Sequence, residues 1–125
     1  MTNESSAQPP ATRAEQMIEL GSLAMRSQRD GDVHTIALDG EVDIATAARV
    51  EDELLRAEAT DAAAIVLDLT ELTFIDSTGI RMLVMAEART RADGSRLTLR
   101  RPPDSVMRVL HLAGVEERLP FADAG

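Results

Sequence analysis

Several residue types are missing from this sequence or nearly so. It contains no cysteine, which excludes disulfides, thiol catalysis and cysteine-based metal sites. It contains neither tryptophan nor tyrosine, and its two phenylalanines are too few for the aromatic platforms on which nucleic-acid bases stack. No apolar run approaches the roughly 18 residues of a membrane span, and the N-terminus lacks the core of a signal peptide. These absences predict a cytoplasmic protein that binds neither nucleic acid nor membrane.

The charge balance is strongly acidic. The formal net charge is −9, from 22 acidic and 13 basic residues. Such a chain repels phosphate backbones and anionic lipid, so a partner with a basic face is the expectation. The 125 residues suffice for one domain with a single modest core, built on leucine, isoleucine, valine, alanine and methionine.

The first residues read differently from the rest. "MTNESSAQPPATRAEQ" is polar, holds two adjacent prolines and has no sustained apolar period, which predicts a flexible N-terminal tail over residues 1–21. Met17, Ile18 and Leu20 are compatible with a short helix or with docking on the domain. The folded domain is predicted to span residues 22–122, and residues 123–125 form a C-terminal tail.

The pattern of the domain alternates between strands and helices. Asp30-Gly31 predicts a hairpin turn between the first two strands. The predicted order is β-β-α-β-α-β-α, with a further short strand compatible with residues 115–122. Such an order indicates an α/β domain with a mixed sheet whose later strands run parallel. The predicted elements are strands at 23–28, 33–40, 63–76 and 95–103, and helices within 40–59, 77–94 and 104–114.

Apolar spacing predicts which faces are buried. In the second strand these are Ile36 and Leu38. The inner stripe of the first helix is predicted to be Ala47, Val50, Leu54 and Ala57, and that of the second helix Ile80, Leu83, Val84 and Ala88. Predicted helix caps are Asp43 or Thr46 for the first helix and Asp104 or Ser105 for the third. A solvated acidic face is predicted at Glu51, Asp52, Glu53 and Glu58.

The stretch Asp76-Ser77-Thr78-Gly79 stands between a strand and a helix. Asp76 or Ser77 can cap the helix by accepting a bond from a free backbone N–H, a contribution of about 1 kcal/mol. The Ser77 hydroxyl at such a turn is open to another protein's active site. A phosphate there would meet backbone N–H groups and the positive end of the helix dipole, and would add about −1.5 to −2 charges. We expect Asp43 to lie close by.

Independent enzyme chemistry finds little support. A nucleophile elbow needs Gly-x-Ser-x-Gly, and Ile75 replaces the first glycine around Ser77. Only His34 and His111 could serve as a base. No phosphate-cradling glycine loop is present, lysine for holding a nucleotide is lacking, and no cluster suggests a metal site. The chain is therefore predicted not to be an enzyme and to need no cofactor.

Three blocks of sequence carry a resemblance. "DGEVDIATA" (39–47), "IVLDLTELTFIDSTGIRMLV" (65–84) and "VMRVLHLAGVEERLPF" (106–121) resemble the STAS domain of bacterial anti-sigma factor antagonists. The likeness covers roughly residues 22–122, and the blocks occur in the family's order. It implies a STAS-type sandwich in which helices pack against a mixed sheet.

The resemblance also implies a function. In that family the unphosphorylated antagonist captures an anti-sigma factor, a serine kinase of the histidine-kinase-like ATPase fold, and thereby frees the sigma factor. Phosphorylation of the serine after aspartate in Asp-Ser-(Ser/Thr)-Gly blocks capture, and a PPM-type phosphatase restores it. By position the acceptor here is Ser77, with Thr78 an adjacent possible acceptor.

Partner-contacting residues follow from the same positions. Asp76, Thr78 and Gly79 would shape the acceptor loop, and Glu41 with Asp43 would lie on the neighbouring surface. Two departures from the family are Ile80, which replaces a leucine, and Arg81, which stands where many relatives carry a small residue. Arg81 would touch the partner, pair with a phosphate, or remain a solvated arginine.

Two other classes of function stay open. One is a non-switching STAS scaffold or small-molecule-binding module in a lipid-transport or stress-signalling assembly. The other is a hydrolase that uses Ser77 with His34 or His111. Both lack the turnover of a protein-bound phosphate that the resemblance implies.

Overall fold

The computed structural model describes residues 13–122, with side chains from Glu15 onward. Five strands, three helices and one short 3₁₀ helix make up this part of the chain. The elements are β1 (Arg13–Leu20), β2 (Leu23–Asp30), β3 (Val33–Val42), α1 (Ala47–Glu58), β4 (Ala64–Ile75), α2 (Ser77–Ala92), β5 (Leu97–Arg100), α3 (Asp104–Leu112) and the 3₁₀ helix (Glu116–Arg118).

The strands form one mixed sheet in the order β1-β2-β3-β4-β5. β1 pairs with β2 and β2 with β3 in antiparallel fashion, as short turns permit. β3 pairs with β4 and β4 with β5 in parallel, so each connection needs a crossover, which α1 and α2 supply. The predicted α/β fold with parallel later strands is confirmed.

The helices cover a single face of the sheet. Alternate strand residues are buried on that face, as the predicted Ile36 and Leu38 are, whereas Ala37 between them is only half-buried. The same alternation holds in β4 and β5, where Leu67 and Leu99 are buried. The domain is therefore a two-layer sandwich with its core between the sheet and the helices.

The start of the chain corrects one prediction. Residues 13–20 form β1, so the flexible tail through residue 21 and the short helix at Met17 to Leu20 are wrong for this stretch, whereas docking on the domain is confirmed for Ile18 and Leu20. Ile18 and Leu20 alternate along β1 and pack against the core, and Gly21, at φ +59°, makes the turn into β2. That period of two is the signature of a half-buried strand. The tails predicted at residues 1–12 and 123–125 lie outside the described residues.

The inner face of α2 is rotated from its predicted position. Leu83 is buried as expected, but Ile80 and Val84 are half-buried and Ala88 is exposed. The pattern counted only apolar residues, and the true face also includes a glycine and a threonine whose hydroxyl donates to the Glu87 carbonyl. The buried residues of α2 are Gly79, Met82, Leu83, Ala86 and Thr90.

The stripe of α1 is confirmed, but its acidic face is not uniform. Ala47, Val50, Leu54 and Ala57 are all buried. Glu53 is buried too, which makes the predicted solvated position wrong. Its carboxylate oxygen lies 3.8 Å from the guanidinium of Arg56. The Arg56 side chain is exposed, so the ion pair reaches the solvent.

The C-terminal part differs from prediction at two points. α3 begins at Asp104 after Pro103, and neither Asp104 nor Ser105 caps it through a side chain. The short strand compatible with residues 115–122 is replaced by the 3₁₀ helix and by one bridge between Phe121 and Leu99. Pro120 has no N–H to add to a strand ladder, although its carbonyl accepts from the Leu99 N–H at 2.9 Å.

Candidate functional site

The first turn of α2 is capped by Asp76. One carboxylate oxygen of Asp76 accepts hydrogen bonds from the backbone N–H of Thr78 at 2.9 Å and of Gly79 at 3.1 Å. The Asp76 N–H in turn donates to the Val42 carbonyl at 3.1 Å, which ties this turn to the end of β3. Of the two caps that the sequence allowed, Asp76 is the one formed, and Ser77 is the first residue of α2 with its side chain exposed.

Gly79 is required by close packing. A Cβ atom at this position would lie 2.7 Å from Cγ1 of Ile75 and 2.8 Å from Cγ1 of Val42. The absence of a side chain lets α2 approach the ends of β3 and β4. Gly79 is buried, so it shapes the loop that carries Ser77 and offers no surface to a partner.

A second turn lies beside the first. One carboxylate oxygen of Asp43 accepts from the N–H of Ala45 at 2.9 Å and of Thr46 at 3.2 Å, and the Thr46 hydroxyl donates to the Glu41 carbonyl at 3.1 Å. Asp43 thus fixes the turn that leads into α1, while Thr46 precedes the helix without capping it. Because Val42 binds the Asp76 N–H, the turn of Asp43 adjoins the turn of Asp76, as the sequence predicted.

Apolar side chains that the sequence analysis missed surround these turns. Ile44 is 80% exposed and Met85 is 47% exposed, and both line a groove between α1 and α2. Thr78 and Arg81 line the same groove. Phe74, 46% exposed, pairs across the sheet with Glu41 at the same end. An isoleucine within the polar turn of Asp43 was the signal available in the sequence.

The arginines of α2 differ in their partners. Arg89 donates to Glu58 at 2.9 Å and to Glu51 at 3.3 Å, which joins α2 to α1, and these bonds raise its pKa. Arg91 lies 3.7 Å from Glu87. Arg81 is exposed and has no ion pair within residues 15–122.

The arrangement does not form a hydrolase triad at Ser77. His34 stands at the opposite end of β3, which runs about 30 Å over its 10 residues, and its Nε2 lies 2.7 Å from Oγ of Ser27. Burial lowers the pKa of His34, Glu53 opposes this and Arg29 adds to it. His111 is exposed and engaged with Glu116 at 2.9 Å. Neither histidine is placed to activate Ser77.

Two further features of residues 13–122 bear on function. The described part holds no group of three histidine, cysteine, aspartate or glutamate side chains that could bind a metal ion. None of its helices has the length and apolar character needed to cross a membrane.

Comparison with known proteins places these features in a family. The family model described as "Mlab, STAS domain" matches residues 25–120. A curated protein of Listeria monocytogenes, named anti-sigma-B factor antagonist, is 31% identical over 90 residues, which cover 72% of this chain and 79% of that protein.

Solved structures share the fold. An anti-sigma factor antagonist from Mycobacterium paratuberculosis superposes with a TM-score of 0.64 at 19% identity, over 93% of this chain and 90% of that one. The anti-sigma factor antagonist SpoIIAA in its unphosphorylated form gives a TM-score of 0.57 at 20% identity, over 90% of this chain and 89% of that one. The Bacillus protein SpoIIAA in its phosphorylated form gives the same TM-score and identity over 90% of this chain and 92% of that one.

Proposed function

This chain belongs to the STAS-domain family of anti-sigma factor antagonists, and from that membership we propose that it is a phosphorylation switch. The unphosphorylated form binds an anti-sigma factor that is a serine kinase of the histidine-kinase-like ATPase fold and so releases the sigma factor. The kinase phosphorylates Ser77, which blocks binding, and a PPM-type phosphatase reverses the modification. The domain itself carries no catalysis.

The observation that carries the proposal is the exposure of Ser77 beside a groove with apolar walls. Ile44 and Met85 offer the partly exposed apolar contacts that centres of interfaces use. A phosphate on Ser77 would add about −1.5 to −2 charges beside Asp76 and one residue before Thr78, which lines this groove. A partner that buries the groove would have to desolvate that charge.

The fold supports a switch that leaves the domain folded. Asp76 holds the first turn of α2 through its carboxylate, so the Ser77 hydroxyl is not needed for the cap. The related protein SpoIIAA has been solved in both its unphosphorylated and phosphorylated forms, and both superpose equally well on this chain.

The test compares variants at Ser77. We expect Ser77→Ala to bind the anti-sigma kinase but to resist release by ATP, and Ser77→Asp to bind at least about tenfold more weakly, a change of about 1.4 kcal/mol. Binding is measured by calorimetry with and without ATP, and mass spectrometry locates the phosphate.

Ser105 supplies the matched control, because it is likewise an exposed serine in the first turn of a helix, α3. Ser105→Ala should bind and be released as the unaltered chain is. Phosphate found on Thr78 alone, or full binding by Ser77→Asp, contradicts the proposal.

A second candidate is a scaffold within a larger assembly, and one surface favours it. Leu112 is 77% exposed and Val109 39% exposed on α3, away from the Ser77 loop in sequence. A scaffold would keep its partners whatever the state of Ser77. Retention of a transporter ATPase or of a multi-subunit particle by both Ser77→Ala and Ser77→Asp would favour this role over the switch.

A further inference from the structure

We propose that Arg81 is the intramolecular receptor for a phosphate on Ser77, and that pairing with the phosphate withdraws Arg81 from the groove between α1 and α2. The inference rests on the proposed phosphorylation and concerns what the phosphate does once it is attached. Arg81 would bind the attached phosphate and would take no part in the transfer of the phosphoryl group.

The two positions face each other on the helix. Ser77 is the first residue of α2 and Arg81 is four residues on, a spacing that places Cβ atoms about 5–6 Å apart on one side of a helix. Both side chains are exposed. The planar guanidinium can donate two parallel hydrogen bonds to phosphate oxygens, which a serine-linked phosphate within reach would accept.

Most of the backbone donors at this helix start are already engaged. The N–H groups at the start of a helix are common phosphate ligands, and the sequence alone suggested them. In the structure the Asp76 carboxylate already accepts from Thr78 and Gly79. The same carboxylate repels a phosphate from that point, so the phosphate needs a cation beside the helix.

Arg81 is the cation that is free to respond. Arg89 is held by Glu58 at 2.9 Å, and Arg91 lies beside Glu87 at 3.7 Å. Glu51, which lines the groove with Arg81, is engaged with Arg89 at 3.3 Å. Within residues 15–122, Arg81 has no carboxylate that a phosphate would need to displace.

Apart from Arg81, the charged groups of the groove lining and of the two adjoining turns are negative, and Arg49 of α1 is exposed but does not line the groove. β3 contributes Glu41, the turn before α1 contributes Asp43, α1 contributes Glu51 and the cap of α2 contributes Asp76. Each of these carboxylates disfavours the dianionic phosphate, and Arg81 favours it. A guanidinium drawn toward Ser77 also leaves the groove wall that it shares with Ile44 and Met85. The phosphate would thus change the charge and the lining of the groove together.

The test needs no kinase. Phosphoserine is installed at position 77 by an expanded genetic code, and its second ionisation, from monoanion to dianion, is followed by phosphorus NMR. With Arg81 in place we expect the phosphoserine pKa, ordinarily about 6, to lie about 0.15 to 0.4 unit below that in Arg81→Gln. Arg81→Lys should give an intermediate pKa, because an ammonium attracts the phosphate without the two-point contact.

Arg91→Gln is the matched control, since it removes the same charge from the far end of α2. It should leave the phosphoserine pKa unchanged. Equal pKa values in the Arg81→Gln and Arg91→Gln proteins would overturn the inference.

The two proposals fail separately. The titration involves no partner, so a kinase that ignores Ser77 would refute the switch and leave the titration result standing. Conversely, Ser77 variants that behave as a switch, together with a phosphate that does not respond to Arg81, would refute only the role of Arg81.

Discussion

The residues of Asp76-Ser77-Thr78-Gly79 have different structural roles. Asp76 closes the helix end, Ser77 stays exposed, and Gly79 allows two apolar side chains to approach the backbone of α2. A motif that reads as one unit in the sequence thus divides into a cap, a hydroxyl and a packing contact. The cap and the packing contact remain coupled, because the Gly79 N–H donates to the Asp76 carboxylate.

Gly79→Ala tests the packing contact. Alanine favours a helix over glycine by up to about 1 kcal/mol, so propensity alone predicts a gain in stability. We expect a net loss of about 1–3 kcal/mol, because the added methyl group meets Ile75 and Val42 at less than 3 Å and the branched valine has little freedom to move. The free energy of unfolding in urea measures it.

Thr78→Ala is the neighbouring control for this substitution, and it should change stability by no more than about 0.5 kcal/mol. Equal stability of Gly79→Ala and the unaltered chain would show that α2 can shift to admit the methyl group.

Part of this detail was accessible from the sequence. Asp76 and Ser77 are both good caps, so residue type alone could not choose between them, and the choice depends on the backbone direction at the end of β4. Ile44 escaped notice because it lies in a turn and belongs to no periodic stripe. Glu53 was assigned to water because no local pattern reports that α1 packs on β3, where Glu53 comes near enough to His34 to oppose the lowering of its pKa.

Among the elements, α1 is held at its C-terminal end by one side chain from beyond α2. Arg96 donates to the carbonyls of Glu58 at 2.6 Å, Thr60 at 3.2 Å and Ala62 at 2.7 Å. These carbonyls belong to the last turn of α1 and to the link into β4, and the last turn of a helix lacks partners of its own. Arg96 therefore fixes the helix that forms one wall of the groove.

Arg96→Ala is expected to lower the free energy of unfolding by about 2 kcal/mol, since it removes charge-assisted bonds to three carbonyls, of which two are in part-buried contacts. Thermal or urea unfolding measures the loss, and Arg96→Lys should recover only part of it because one ammonium cannot span three carbonyls.

Arg91→Ala serves for comparison. Its pair with Glu87 is exposed and long, so its removal should cost no more than about 0.5 kcal/mol. Losses of equal size in the two alanine variants would contradict the anchoring role of Arg96.

The sequence predicted most of the strands and helices, and its errors in placing them lie near the two ends of residues 13–122. β4 follows from the short apolar run at residues 65–67, and α2 and the stripe of α1 follow from apolar residues spaced three and four apart. β1 was missed because the polar, proline-containing start of the chain outweighed the alternation of its last residues. Residues 115–122 form only one bridge to β5, and Pro120, which has no N–H to donate, limits a longer ladder.

For the whole molecule, many arginines are paired with carboxylates, whereas the more numerous acidic residues are left in excess. The basic residues are all arginines, and many of them are engaged by carboxylates, such as Arg89 by Glu58 and Arg29 by Asp61. The excess of acid therefore remains at the surface, including Glu41 beside the exposed groove.

This excess predicts salt-sensitive association with the proposed kinase. Raising the ionic strength from about 0.1 M to about 1 M shortens the Debye length from about 10 Å to about 3 Å. We expect the association rate constant, measured by stopped-flow, to fall by about tenfold over this range, because screening removes the steering between unlike charges.

Two variants locate the effect. Glu41→Gln, at the groove, should flatten the dependence on salt, and Glu117→Gln, on the 3₁₀ helix, should not. A rate constant that does not respond to salt would remove electrostatic steering from the description, while leaving the exposed groove as a docking surface.

The bond from the Asp76 N–H to the Val42 carbonyl has a consequence for timing. Regulators that answer by swinging a domain or melting a segment wait microseconds to seconds for that motion. Here Ser77 follows a residue that is hydrogen-bonded to the sheet, so the proposed signal needs no such delay. The rate of the response would then be set by how often the kinase and the phosphatase encounter Ser77, because the backbone they meet stays in the same conformation.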